Sequence, residues 1–293
     1  MCDDSYWIID VDEYTDSDSD GNKSTASFCS LLVSELDGLR RARDLCDFTI
    51  ISCDGLPVQV HRVVMVVCSQ FFQALLIDGL CIEIDSVTLE EVSIVGLQAV
   101  VDFAYSGRVT RIDSDSFEEV LAAAVYLQVH PMVKSCAKIM QKICIINNVV
   151  DMLDVAERYA LFDRQREYQK FIIGNFLKLI DNLQFLKFTC SQLKSFLPND
   201  RLTVSSEYQL FQAVLRWIDH DKSQREKHAE ILMQHIRFPL FSKEELASVW
   251  SINRIVTNAE FCQLLTEAED YHQAVSKRPS VKSHQIVVHL LSQ

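Results

Sequence analysis

The chain has 293 residues, 48% of them hydrophobic and 24% charged, a globular composition with length for two separate cores. Its formal net charge of −13 excludes the broad basic footprint of a nucleic-acid binder. No apolar run approaches membrane-spanning length, and the acidic start Met1-Cys2-Asp3-Asp4 lacks the basic and apolar regions of a signal peptide.

Residues 1–27 carry eight Asp and Glu against Lys23 alone. Such a segment buries too little apolar surface to offset its ordering entropy, so a disordered acidic tail is expected. Ser17 and Ser19, set among aspartates, are candidate phosphorylation sites. A helix is expected from Phe28, with Leu31, Leu32, Leu36 and Leu39 at helical spacing.

The stretch Leu45-Cys46-Asp47-Phe48-Thr49-Ile50-Ile51 and the following Val58 and Val60 alternate as half-buried strands do. Asp54-Gly55 between them is a hairpin signal. Asp47 and His61-Arg62 are polar insertions in apolar sequence. They are expected to meet as buried partners, since burying either alone is costly. Phe71 to Leu76 continues a helix, and Val87-Thr88-Leu89 is a strand. Ser93 is an N-cap for a helix carrying Leu97, Val100, Val101 and Phe103, which Gly107 ends in the left-handed conformation. Ser116-Phe117-Glu118-Glu119 has the form of a capping box ahead of Val120, Leu121, Ala124 and Leu127. Pro131 opens a further helix that runs to about Ile143.

This first half resembles the BTB (POZ) domain, an interaction module. Family patterns of the type L-C-D-V…A-H-R/K-x-V-L-A-x-x-S-x-Y-F-x-A-M-F match Leu45 to Leu76 nearly position for position, with Val60 for Ala, Phe71 for Tyr and Leu75-Leu76 for Met-Phe. Phe103-Ala104-Tyr105-Ser106-Gly107 matches the family's F-A/I-Y-T-G. The resemblance implies an α+β fold of five or six helices on a small mixed sheet over residues 28–143.

Asn147-Asn148 marks a boundary and caps a new helix. Thereafter the pattern is helical, with helices expected at 148–160, 163–180, 183–186, 190–197, 207–219, 224–236, 242–250 and 258–273. Ala156-Glu157-Arg158-Tyr159, Ser191-Gln192-Leu193, Asp200-Arg201-Leu202-Thr203-Val204, Glu207 with Phe211 to Ile218, and Ile236-Arg237-Phe238-Pro239-Leu240 resemble the all-α BACK domain that follows BTB in Kelch-like proteins. That domain is assigned to 144–274. Residues 275–293 are similar to the linker and first strand of a kelch propeller, and the chain is expected to be truncated there, without the substrate-reading domain.

No catalytic, cofactor or metal constellation is present in the sequence. There is no G-x-S-x-G, phosphate loop or H-E-x-x-H. Asp219-His220-Asp221 follows Trp217-Ile218 at a polar helix end, and His228 and His235 lack a third ligand. None of the ten cysteines forms C-x-x-C or zinc-finger spacing. They are expected to be reduced and mostly buried, which points to the cytoplasm, with the nucleus open as well. Cys81 and Cys144 are the candidates for a reactive thiol.

Function is therefore expected in binding surfaces. The resemblance implies a dimer through Leu31, Leu32, Leu36, Asp47, His61 and Arg62, as a homodimer or with other BTB proteins. It also implies contact with the cullin-3 ubiquitin-ligase scaffold through Leu75, Leu76, Leu80 and Glu83, supported by the first BACK helices around Val149 to Tyr159. Here the chain departs from the family's M-x-E-S: Leu80-Cys81-Ile82-Glu83 places the glutamate one position late relative to Leu80. A non-catalytic cullin-3 adaptor, a propeller-less competitor of full-length Kelch-like proteins and a BTB transcriptional regulator are the functional alternatives. Neither nucleic acid nor membrane is expected as a partner.

Overall fold

The computed structural model describes residues 22–78, 84–109, 116–252 and 259–276. Contacts divide the chain into two units, Met1–Cys144 with Val155–Arg164, and Ile145–Asp154 with Gln165–Gln293.

In the first unit, strand β1 (Phe48–Ile51) is central. It pairs antiparallel with β2 (Pro57–Val60) and parallel with β3 (Ser86–Thr88), so the sheet is mixed. The alternation in sequence is the alternation in space: Phe48 and Ile50 are buried while Thr49 and Ile51 are partly exposed. Gly55, at φ +75, closes the hairpin by donating its N–H to the Ser52 carbonyl at 2.9 Å. Helix α1 (Asn22–Ala42) precedes the sheet. It begins inside the segment expected to be disordered, because propagating an existing helix adds one hydrogen bond per residue and needs no apolar face. Residues 1–21 lie outside the described residues.

Helices α2 (Arg62–Cys68) and α3 (Gln70–Gln73) follow, and α3 runs on as a π-helical turn, Ala74–Asp78. Ser69 joins them: its hydroxyl accepts from Phe72 N–H and donates to the Leu127 carbonyl at 2.5 Å. Helix α4 (Ile94–Ser106) has the expected Ser93 cap and the expected Gly107 stop at φ +67. It lies against α5 (Phe117–Tyr126), and α6 (His130–Ile143) closes the unit with Pro131 in its first turn. The capping box expected at Ser116 does not form. Ser116 makes no side-chain cap, and Glu119 instead accepts from the Ser93 hydroxyl at 2.6 Å, a tertiary partner that outcompetes the local one.

Three helix ends in this unit form a six-residue loop with non-glycine residues in the left-handed conformation. Arg43, Gln128 and Ala160 have φ +63, +54 and +53. Each next residue donates back five positions, Asp44 to Leu39, Val129 to Ala124 and Leu161 to Ala156, at 2.8–2.9 Å, which is the Schellman arrangement.

The second unit is helical, with α7 (Val149–Arg158) shared between the two contact groups. Then come α8 (Phe162–Gly174), α9 (Phe176–Ile180), α10 (Cys190–Phe196), α11 (Glu207–His220), α12 (Lys222–Arg225), α13 (Ala229–Met233), α14 (Lys243–Trp250) and α15 (Ala259–Ser276). Where one helix is expected over 163–180 there are two, because Asn175 turns its amide onto the Phe171 carbonyl at 2.9 Å and interrupts the ladder. The helix expected at 224–236 is broken into short pieces. Arg225 there lies over the Trp217 ring at 4.3 Å and donates to the carbonyls of Trp217 and Leu186, which pins the corner. The core is aromatic: Phe176, Phe185, Phe188, Phe211, Trp217, Phe238 and Phe241 are nearly inaccessible. Trp217 Nε1 donates to the Phe188 carbonyl at 2.8 Å, which satisfies its polar end. Glu207, also buried, is held by Arg237 Nε at 2.6 Å, and Arg237 reaches Asp200 as well. No helix among the described residues is long and apolar enough to cross a membrane.

Candidate interaction surfaces

His61 is buried where the chain turns from β2 into α2. The Tyr105 hydroxyl accepts His61 N–H at 2.8 Å and lies 2.7 Å from Nδ1, while Nε2 lies 3.0 Å from the Asp44 carbonyl. One tautomer satisfies all three contacts: Nε2–H donates to the carbonyl and Tyr105 donates to Nδ1. Burial pushes the Tyr105 hydroxyl up to about 12, which keeps it a neutral donor. Arg40 lies over the Tyr105 ring at 5.0 Å and bonds Asp37 and Asp102. Cys46 Sγ also lies 4.0 Å from His61 Nε2, but burial pushes that thiol up, away from a thiolate, so the cluster reads as a structural one.

The buried ion pair expected between Asp47 and His61-Arg62 is not what the structure has. Asp47 is exposed, and its carboxylate accepts the backbone N–H of Arg62 at 2.7 Å. It thereby serves the N-terminus of α2, where His61 supplies no side-chain cap. The Arg62 guanidinium lies over Phe48 at 5.3 Å and donates to the Ile84 carbonyl at 2.7 Å. The reason is reach: the first free N–H of α2 lies nearer the short Asp47 side chain.

On α1, Leu31 and Leu32 are 57% and 50% exposed, Leu36 is half-buried, and Phe28, at 64%, extends the same apolar face. At the π-helical turn, Leu75 is half-buried. Leu76 is buried at 5%, so it supports the turn from inside and is not a surface anchor. Its position four residues after the buried Phe72 is the sequence signal for that placement. The exposed apolar residue there is Ile77, at 56%, which the sequence reading missed. Leu80 and Glu83 lie outside the described residues. Arg158 bonds Glu118 on α5, and Tyr159 reaches the same carboxylate at 3.4 Å, all within the first unit.

Among the described residues no His, Cys, Asp and Glu cluster is placed to hold a metal. Asp219 and His220 are exposed at the end of α11, and Asp221 caps α12 by accepting from Gln224 N–H. Of the described cysteines, Cys136 alone is buried, and Cys29 and Cys53 are exposed. The expectation of mostly buried thiols is thus corrected: an apolar neighbourhood in sequence does not bury a residue on a helix's outer face. Burial pushes the Cys144 thiol up to about 11, away from a reactive thiolate. Cys81 lies outside the described residues.

Two family models match the chain, the BTB/POZ domain over residues 36–144 and BTB And C-terminal Kelch (BACK) over 149–251. Kelch-like protein 31 of Homo sapiens is 33% identical over 248 residues, 84% of this chain and 38% of its own length. Kelch-like protein 26 of Homo sapiens is 32% identical over 270 residues, 89% of this chain and 43% of its own. Among solved structures, the BTB domain of zebrafish PATZ1 matches 40% of this chain and 94% of its own at 19% identity, with a TM-score of 0.36. The chain spans about two fifths of the length of these curated relatives. With both domains in this order, the chain belongs to the BTB-BACK proteins of the Kelch-like family.

Proposed function

We propose that this protein acts as a dimeric, non-catalytic adaptor-like subunit of a cullin-3 RING ubiquitin ligase. The observation that carries this reading is the apolar face of α1, where Phe28, Leu31 and Leu32 stand half or more exposed in the single chain. A contiguous apolar helix face of this kind is the raw material of a symmetric interface. Sedimentation is expected to give a dimer at micromolar concentration for the unaltered chain, and a monomer for a Leu31→Asp, Leu32→Asp double variant. A monomeric unaltered chain would refute this part of the reading.

For the cullin contact, Ile77 is the exposed apolar element and the half-buried Leu75 its neighbour, with Leu80 and Glu83 proposed as further contacts. Truncating a central apolar anchor weakens binding by about 2 kcal/mol, roughly thirtyfold. Calorimetry against cullin-3 is therefore expected to show that loss for Ile77→Ala at an unchanged melting temperature. Glu83→Ala should cost less if the glutamate, one position late relative to Leu80, contributes only as a solvated ion pair does. Leu76→Ala would lower the melting temperature instead, because it opens a cavity. Absence of heat with the unaltered chain would turn the reading to a scaffold that competes with full-length Kelch-like proteins.

A further inference from the structure

Leu45 is held where a leucine is doubly unfavourable. Its backbone is left-handed, at φ +58, a conformation that bulky residues rarely adopt, and its side chain is 79% exposed. The fold fixes it there from both sides. Before it, Arg43 closes the Schellman turn at the end of α1. Around it, the Asp44 carbonyl meets His61 Nε2 at 3.0 Å and the Asp47 carboxylate accepts the Arg62 N–H at 2.7 Å. These contacts seat the 44–47 segment against the start of α2. The outer face of α2 carries Val63 and Val67, one turn apart and 66% and 79% exposed, while Met65 turns inward. The first unit thus has two uncovered apolar surfaces: the α1 face of Phe28, Leu31 and Leu32, and the Leu45–α2 patch. Each has one exposed charge at its margin. Glu35 lies one turn beyond Leu31 and Leu32, and Arg43 lies two residues before Leu45. Neither forms an ion pair among the described residues.

We infer that the Leu45–α2 patch takes the α1 face of a second copy, with Glu35 of one copy meeting Arg43 of the other. This rests on the dimer reading given above and names the surface that covers α1. A second copy fits because the two surfaces are complementary in both hydropathy and charge, apolar to apolar and acid to base. A two-fold axis then makes the contact twice, α1 of each copy lying on the patch of the other. The six apolar side chains on each copy form the centre of the interface, where charged residues are few, and the Glu35–Arg43 pairs lie at its rim. Leu45 is the anchor. Its left-handed backbone is unfavourable in the single chain and is offset in the dimer, where the side chain leaves water.

Two measurements on the full chain test this. The first is the dimer dissociation constant by sedimentation. Leu45→Asn is expected to weaken the dimer by about thirtyfold or more, because the anchor is lost twice. Glu35→Arg alone and Arg43→Glu alone should each weaken it about tenfold, since each sets like charges together. The chain carrying both reversals should return to within about threefold of the parent, because the pair is restored with its signs exchanged. The second is urea unfolding in the monomeric Leu31→Asp, Leu32→Asp background. There Leu45→Asn is expected to raise the midpoint, because asparagine tolerates left-handed backbone. A purely structural Leu45 would lower it. A dimer indifferent to Leu45→Asn, or two reversals that add where they should cancel, would overturn this inference and leave the dimer reading standing. A monomeric unaltered chain would overturn both.

Discussion

Gly96 and Asp47 mark the two extremes of what a single side chain does here. A Cβ on Gly96 would lie 2.7 Å from Ala123 Cβ and 2.8 Å from the Glu119 carbonyl oxygen. Backbone cannot yield as a flexible side chain does, so Gly96→Ala must push α4 from α5. The strain exceeds the gain in helix propensity, and a net loss of about 1–2 kcal/mol is expected in urea unfolding. Asp47→Asn keeps an oxygen facing the Arg62 N–H and removes only a charge at the N-terminus of α2. Its expected cost is about 0.3–1 kcal/mol. If Asp47→Asn costs the more of the two, the carboxylate has a partner that the single chain does not contain.

At the scale of the element, helix ends are the most instructive feature. Glycine stops α4 at Gly107, a position any reading of the sequence finds. The stops at Arg43, Gln128 and Ala160 use the same backbone geometry with residues that are unfavourable there, and no local signal marks them. Left-handed backbone costs a non-glycine residue about 1–2 kcal/mol, and these turns persist because the segments that follow are held by the sheet and by neighbouring helices. Ala160 is exposed, so its methyl group contributes little packing. Ala160→Gly is accordingly expected to raise stability by about 0.5–1 kcal/mol, after allowing for the freer unfolded chain. A lower urea midpoint in that variant would show that the turn is not under strain.

At the scale of the whole molecule, the buried and half-buried weak acids make the fold sensitive to alkali. Burial raises the Cys136 thiol from 9.0 to about 12, the Cys144 thiol from 9.0 to about 11 and the Tyr105 hydroxyl from 10.0 to about 12. All three are neutral when protonated, and the folded chain holds those protons to higher pH than the unfolded chain does. The unfolded state then binds fewer protons, so stability falls as pH rises from about 9 towards 12, and is unaffected by these groups below that window. Urea midpoints taken across it should fall. Tyr105→Phe should start lower at neutral pH, since His61 loses its hydroxyl partner, yet fall less steeply above pH 10. An unchanged slope would mean that Tyr105 does not titrate in this window.

Periodicity and local punctuation placed most strands and helices, and the resemblance to BTB and BACK sequence patterns supplied the α+β architecture of the first half. Strand alternation at Phe48 and Ile50, the cap at Ser93, the stop at Gly107 and the helix carrying Trp217 all depend on neighbours within a few residues. The tertiary structure decided whatever depends on distant partners. It sent Glu119 to Ser93 and not to a local cap, set Asp47 on a backbone N–H, buried Leu76 while exposing Ile77, and tied Arg158 to Glu118. Those choices turn on which polar group or surface lies within a few ångströms after folding, and sequence separation carries no information about that distance.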